Sequence, residues 1–146
     1  MVTIRTATHA DDREIHRLIH DARLNPLGID WRRFRVAVDP QGRLIGCGQV
    51  KPHCDGSREL ASIVVHPQHR QHGVGRAIVE HLLAENPGVL YLITAGRTGS
   101  YYEPFGFHRI APEQMPPYFR RIYAIFSIAR HLFFIKEELL VMRRMP

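Results

Sequence analysis

Residues 59–83, read E-L-A-S-I-V-V-H-P-Q-H-R-Q-H-G-V-G-R-A-I-V-E-H-L-L, constrain the fold of this chain more than any other stretch. The apolar, β-branched run at 60–65 reads as a buried strand, and His66-Pro67 breaks it. A basic turn follows, Arg70-Gln71-His72-Gly73-Val74-Gly75, and then Ala77, Ile78, Leu82 and Leu83 give a helix an apolar side. A strand that feeds a helix through such a turn leaves the first-turn N–H groups without partners. The macrodipole adds positive potential at the same place. Gly73 and Gly75 let backbone approach a ligand with no Cβ between, and Arg70 and Arg76 add charge. The stretch is therefore a candidate anion site, with a phosphate-bearing ligand as the first expectation.

Two nucleotide patterns fail against it. A Walker loop ends in Gly-Lys-Ser/Thr, which is absent, and a Rossmann fingerprint needs a third glycine where Gly73-Val74-Gly75-Arg76-Ala77-Ile78 has isoleucine.

Around this stretch the chain alternates strand and helix patterns. Residues 2–7 alternate as a short strand, and Thr8 caps a helix over about 10–22, with Asp11, Asp12 and Glu14 in its first turn. Strands at 34–38 and 44–50 form a hairpin through Asp39-Pro40-Gln41-Gly42, and His53-Cys54-Asp55-Gly56 turns into the strand at 60–65. Gly46 and Gly48 should allow another backbone or a ligand to come close. A buried strand at 89–94, a short helical piece within 98–105 and a strand at 107–110 follow. A long helix over 117–135 and a last strand at 139–142 complete the chain. In that helix Tyr118, Ile122, Ile125, Phe126, Ala129 and Phe133 make one apolar stripe. The order β-α-β-β-β-α-β-α-β-α-β predicts one α/β domain over residues 1–146, with an extra amphipathic helix before the last strand.

Composition narrows the function classes. Hydrophobic content of 45% with 23% charged residues is a globular balance. Twenty basic against fourteen acidic side chains leave a net charge of +6, which favours anionic partners without choosing among them. Basic residues are scattered and not interleaved with aromatics, so a nucleic-acid partner is not expected. The two cysteines, Cys47 and Cys54, match neither a disulfide scaffold nor a zinc pattern and are read as reduced thiols in a cytoplasmic setting. No signal peptide is expected, because the N-terminus carries Arg5 and no apolar run, and no membrane span, because the apolar region near the C-terminus is interrupted by Arg120, Arg121 and Arg130. His16 and His20 lie four apart without a third ligand, and His66, His69 and His72 straddle a turn; no metal site is expected.

R-x-x-G-x-G opening a helix directly after a strand resembles the acetyl-CoA-binding motif of the GNAT superfamily of N-acetyltransferases. Tyr102-Glu103-Pro104-Phe105-Gly106-Phe107 is similar to that family's Y-x-x-x-G-F segment after the fifth strand, and the element order agrees over nearly the whole chain. The resemblance implies a single-domain GNAT-like fold, a mixed central β-sheet flanked by helices. It also implies acetyl transfer from acetyl-CoA, as co-substrate, to a primary amine without a metal. By the same resemblance the N–H groups of Arg70, Gln71, His72, Gly73, Val74, Gly75 and Arg76 hold the CoA pyrophosphate. Ile63, Val64 and Val65 pair with the pantetheine arm, and the Val65 amide faces the thioester carbonyl. Tyr102 protonates the departing thiolate, and Glu59 takes a proton from the acceptor amine. Pro104 disfavours a helical conformation at Glu103.

The chemistry supports these roles independently. An alkyl ammonium has a pKa of about 10.4 and must lose a proton before it attacks, and a thiol of about 8.5 is a fair leaving group. Direct transfer needs no nucleophilic cysteine, and His108 is an alternative base to Glu59. Two other functional readings are a catalytically idle CoA-binding regulator and a basic nucleic-acid module. For the 117–135 helix the readings are core packing, a wall of the acceptor site, and a dimer or membrane-surface contact.

Overall fold

A computed structural model describes residues 1–146. The elements follow the anticipated order: β1 (Thr3–Thr6), α1 (Asp12–Asp21), β2 (Phe34–Val38), β3 (Leu44–Pro52), β4 (Arg58–Val65), α2 (Val74–Glu85), β5 (Leu90–Ala95), α3 (Gly99–Tyr102), β6 (Phe107–Arg109), α4 (Pro117–Phe133) and β7 (Leu139–Arg144). Hydrogen-bonded neighbours run β1-β2-β3-β4-β5-β7-β6, a seven-stranded mixed sheet. The β4–β5 pair is parallel, while β1–β2, β2–β3, β5–β7 and β6–β7 are antiparallel. The chain divides into two compact units, Met1–Lys51 with Leu60–Pro87 and Pro52–Glu59 with Gly88–Pro146. β4 gives its first two residues to the second unit and the remainder to the first.

In the first unit, β1 and β2 register with Thr3 opposite Val38, and β2 and β3 with Val36 opposite Cys47. The core is Ile15, Leu18 and Ile19 from α1 against Phe34, Val36, Cys47 and Val64 from the strands. The expected helix over 10–22 begins later, because His9–Asp11 closes as a 3-10 turn after Thr8. Asp11 there accepts the Thr8 N–H at 2.7 Å and pairs with Arg5 at 2.7 Å. The Arg5 guanidinium, aided by the Thr8 amide, holds its carboxyl below the usual range.

The strand glycines admit a helix, not a ligand. A Cβ on Gly48 would lie 2.6 Å from Ile63 Cδ1, 2.9 Å from Ile78 Cγ2 and 3.1 Å from Leu82 Cδ1. A Cβ on Gly46 would lie 3.0 Å from both Ile78 Cδ1 and the Val64 carbonyl oxygen. The missing side chains let α2 settle its buried Val74, Ile78 and Leu82 onto β3.

In the second unit, β7 pairs with β5 from Leu90–Arg144 to Ala95–Leu139 and with β6 from Phe107–Arg144 to Arg109–Met142. Glu59 registers opposite Tyr91 in the parallel pair. α4 starts at Pro117, a position whose missing N–H costs nothing in a first turn. Its fully buried residue is Phe119, in a cluster with Ile110, Met115 and Val141, lined by Tyr91, Tyr118 and Tyr123. The stripe expected from the sequence is displaced: Ile125 and Phe133 are 65% and 73% exposed. Phe119 and Tyr123 take the inward line instead, beside Tyr118, Ile122, Phe126 and Ala129. The helix is apolar around much of its circumference, so periodicity alone left the centre of the packed arc undetermined.

The turn between β3 and β4 is tied to the start of α4. Asp55 accepts the Tyr118 N–H at 3.0 Å and the Ser57 N–H at 2.9 Å. The Ser57 hydroxyl, followed by the Tyr118 amide, pulls the Asp55 carboxyl down to about 2.

Two outcomes follow from this packing. Gly48→Ala should lower the unfolding free energy by about 1–3 kcal/mol in urea titrations, because α2 must be pushed off the strand. Asp55 gains its stabilisation from the ionised form, so the contribution is full above the unfolded carboxylate pKa and is lost as pH falls through the folded value. Asp55→Asn should flatten the stability–pH curve between about pH 4 and pH 2 in acid titrations followed by circular dichroism.

Candidate active site

Residues 60–83 of the anion-site stretch belong to the first unit. Within β4, Ser62 is held at φ 59, in the left-handed region. Its hydroxyl accepts the Gln49 Nε2–H at 2.9 Å, and its carbonyl accepts the Cys47 thiol at 3.7 Å. Beyond it Val64 enters the core while Ile63 and Val65 are half-buried. Burial pushes the Cys47 thiol up to about 12, so it is a neutral, inert packing group; Cys54 is exposed.

His66 donates its N–H to the Ile45 carbonyl at 2.7 Å, and Pro67–His69 forms one 3-10 turn. Arg70 then folds back, its Nε donating to the Val65 carbonyl at 3.1 Å. Gln71 at φ 66 and Gly73 at φ 80 both take left-handed conformations and swing the chain into α2. Only glycine adopts the second without strain, and a Cβ there would meet nothing, so the requirement is conformational. Arg70, Gln71, His72 and Gly73 are exposed. The α2 N-cap carries no side-chain hydrogen bond, and its first turn holds no acidic residue. The helix therefore presents free N–H groups and its positive end to the surface. Arg76 is paired with Glu80 at 2.7 Å. His69 Nδ1, in the same turn, is buried without a partner.

Glu59 belongs to the second unit and is 7% exposed. Its Oε1 meets His53 Nε2 at 2.8 Å. The His53 ring lies flat on Tyr118, with centroids 3.6 Å apart and 16° between planes, and edge-on to Phe119 at 5.6 Å. Burial, and then the negative charge of Glu59, raise the Tyr118 phenol above its ordinary value. The carboxylate is thus held by an imidazole and faced by a phenol beneath the first turn of α4.

Neither His53 nor Tyr118 was singled out from sequence. His53 read as a turn residue and Tyr118 as part of an apolar stripe. The hairpin register held the signal for the first: His53 donates its N–H to the Ser57 carbonyl at 2.9 Å, which brings it beside the strand that carries Glu59. Nothing local marks Tyr118, which reaches the pair only through the docking of α4.

Tyr102 ends α3 and is half-buried, its ring 5.0 Å from Tyr101 and 6.2 Å from Phe107. Burial, with a smaller contribution from Tyr101, pushes its hydroxyl up to about 12, so it is protonated at neutral pH and able to donate. Glu103 is helical, at φ −60 and ψ −41, against the expectation from Pro104. The 3-10 turn Glu103–Phe105 places Pro104 where a helical N–H would have no partner, and Gly106 at φ 92 closes it by donating to the Glu103 carbonyl at 2.9 Å. His108 is exposed on β6, opposite Arg143. No group of three or more His, Cys, Asp or Glu side chains is disposed to hold a metal ion.

Known proteins resemble this chain in sequence or in fold. Mycothiol acetyltransferases of Mycobacterium sp. strains JLS and MCS are each 38% identical over 68 residues, 46% of this chain. That match spans 23% of the length of those curated relatives. N-acetylglutamate synthase from Neisseria gonorrhoeae, solved with coenzyme A and N-acetyl-glutamate, superposes with a TM-score of 0.76 at 21% identity, over 99% of this chain and 35% of the other. Rv2747 from Mycobacterium tuberculosis, solved with CoA, gives 0.73 at 19% identity and 99% of both chains. These structural likenesses show a shared fold. The family model for the acetyltransferase (GNAT) domain matches residues 30–109, more than half of the sequence, and the chain belongs to the GNAT acetyltransferase family.

Proposed function

We propose that this chain is an acetyl-CoA-dependent N-acetyltransferase that moves an acetyl group to a primary amine by direct attack on the thioester. The observation that carries this reading is the exposed turn of residues 70–73, which leads into an uncapped α2 N-terminus inside the span matched by the family model. A pyrophosphate suits those free N–H groups and the flanking Arg70. Ile63, Val64 and Val65, just before the turn, take the pantetheine arm as an added strand takes its neighbour.

Each step balances within this set. Glu59, directly or through a water, takes a proton from the acceptor ammonium, and the freed amine nitrogen bonds to the thioester carbonyl carbon. The Val65 N–H stabilises the oxyanion of the tetrahedral intermediate. The carbon–sulfur bond then breaks, and Tyr102 donates its phenolic proton to the CoA thiolate. The second proton of the attacking nitrogen passes, directly or through a water, to the Tyr102 phenolate, which leaves a neutral amide. His53 orients Glu59: bonded to Oε1, it leaves Oε2 as the proton acceptor. No step requires a cysteine, in keeping with the raised Cys47 thiol.

CoA release from acetyl-CoA, measured as free thiol, should depend on added amine and be saturable across an amine panel. Acetyl-CoA binding in calorimetry without thiol release for any amine would identify a non-catalytic CoA binder instead. Glu59→Gln should confine activity to higher pH, where free amine exists unaided; an unchanged pH profile rules out that base. Tyr102→Phe should lower kcat by about tenfold or more at all pH values below 10. His53→Ala should lower kcat/KM by about 10- to 100-fold, the scale of a lost charge-assisted hydrogen bond, while His53→Gln, which keeps an N–H donor, should retain more activity.

A further inference from the structure

The C-terminal half of α4 is largely exposed. Beyond Tyr123 only Phe126 and Ala129 turn inward, and both are only half-buried. Ile125, Ile128 and Leu132 are 65%, 61% and 63% exposed, and Phe133 and Phe134 are 73% and 89% exposed. Five large apolar side chains in ten residues are far more than the scattered surface apolars of an ordinary domain.

The charge on this element has one sign. α4 contains no Asp or Glu; it carries Arg120, Arg121, Arg130 and His131, and Lys136 follows. The two acids that follow the helix are paired elsewhere. Glu137 is paired with Arg97, and Glu138 with Arg109. Arg130 folds over the helix end, its Nε donating to the Ile135 carbonyl at 3.2 Å.

Geometry separates the occupants. Ile125, Ile128 and Leu132, spaced three and four apart, share one stripe that a groove or a second helix could cover. Phe133 projects about 100° away from Leu132, and Phe134, at φ 53, leaves the helix altogether. The apolar groups thus surround the free end of the helix, which suits a fluid medium better than a groove of fixed shape. A second copy would set like-charged arginines against each other, with no acid on either helix to relieve them. No helix here is long and apolar enough to cross a membrane.

We infer that the segment from Ile125 to Phe134 lies on an anionic lipid bilayer surface, its apolar side chains at the acyl boundary and Arg130, with the flanking Arg121 and Lys136, among the headgroup phosphates. Such docking requires both signals, apolar area and positive charge. The inference does not depend on the catalytic roles proposed above, because none of its residues carries one.

The test is co-sedimentation of the full chain with phosphatidylcholine vesicles with and without phosphatidylglycerol, at low and at high salt. Binding should require phosphatidylglycerol, weaken with salt, and fall by at least tenfold in Ile128→Asp and Leu132→Asp, whose exposed sites leave the circular dichroism spectrum unchanged. Arg121→Gln should weaken it by about fivefold, the contribution of one cation near an anionic surface. Failure of the wild type to bind phosphatidylglycerol vesicles at low salt overturns the proposal. So does binding that both aspartate variants retain. A concentration-dependent dimer in sedimentation equilibrium that Ile128→Asp dissolves would assign the face to a second copy and also overturn it. So would selective capture of an acidic amphipathic peptide by a chain that ignores vesicles.

Discussion

Ser62 sits in the left-handed region inside a β-strand, a conformation that costs an L-residue about 1–3 kcal/mol unless its surroundings enforce it. Two buried β3 side chains enforce it: Gln49 donates to the serine hydroxyl, and the Cys47 thiol donates to its carbonyl. Both contacts require β3 and β4 to lie in this register, and β3 in turn requires α2 close against Gly46 and Gly48. The kink is therefore supported from beneath by packing and laterally by hydrogen bonds. It allows Val64 to remain in the core while Ile63 and Val65 stay half-buried beside the exposed turn.

The second unit solves a different problem, keeping a carboxylate inside an aromatic enclosure. Glu59 is almost fully covered, and an unpaired carboxylate there would carry a desolvation cost. His53 supplies the partner, and the flat stack on Tyr118 with the edge contact to Phe119 fixes the imidazole plane. Asp55, two residues from His53, fastens the same turn to the Tyr118 N–H. One short turn and one helix start thus share three mutually dependent contacts. Displacing any of them would loosen the orientation of the carboxylate.

α4 has two characters along its 17 residues. Its first half completes the enclosure through Tyr118 and Phe119 and packs Tyr123 against the cluster of Ile110, Met115 and Val141. Its second half carries apolar side chains outward and positive charge without compensation. A helix needed only for core packing would be polar on its far side. The retained apolar arc is what links this element to a surface outside the chain.

Element order and the basic turn were legible in the sequence because both rest on local chemistry. Alternation gives strands, and the glycines at 73 and 75 give the turn before α2. The Tyr102–Phe107 segment was legible for the same reason, although Glu103 is helical where Pro104 argued against it, since a 3-10 turn tolerates the missing N–H. Three things required the tertiary structure. Gly46 and Gly48 serve a helix, because only packing reveals what approaches a missing Cβ. Glu59 is held by His53 and faced by Tyr118, residues 6 and 59 positions away, brought to it by a hairpin register and a docked helix. The exposed arc of α4 could not be told from its buried arc, since an apolar periodicity records that a face wants burial but not which neighbour, if any, covers it.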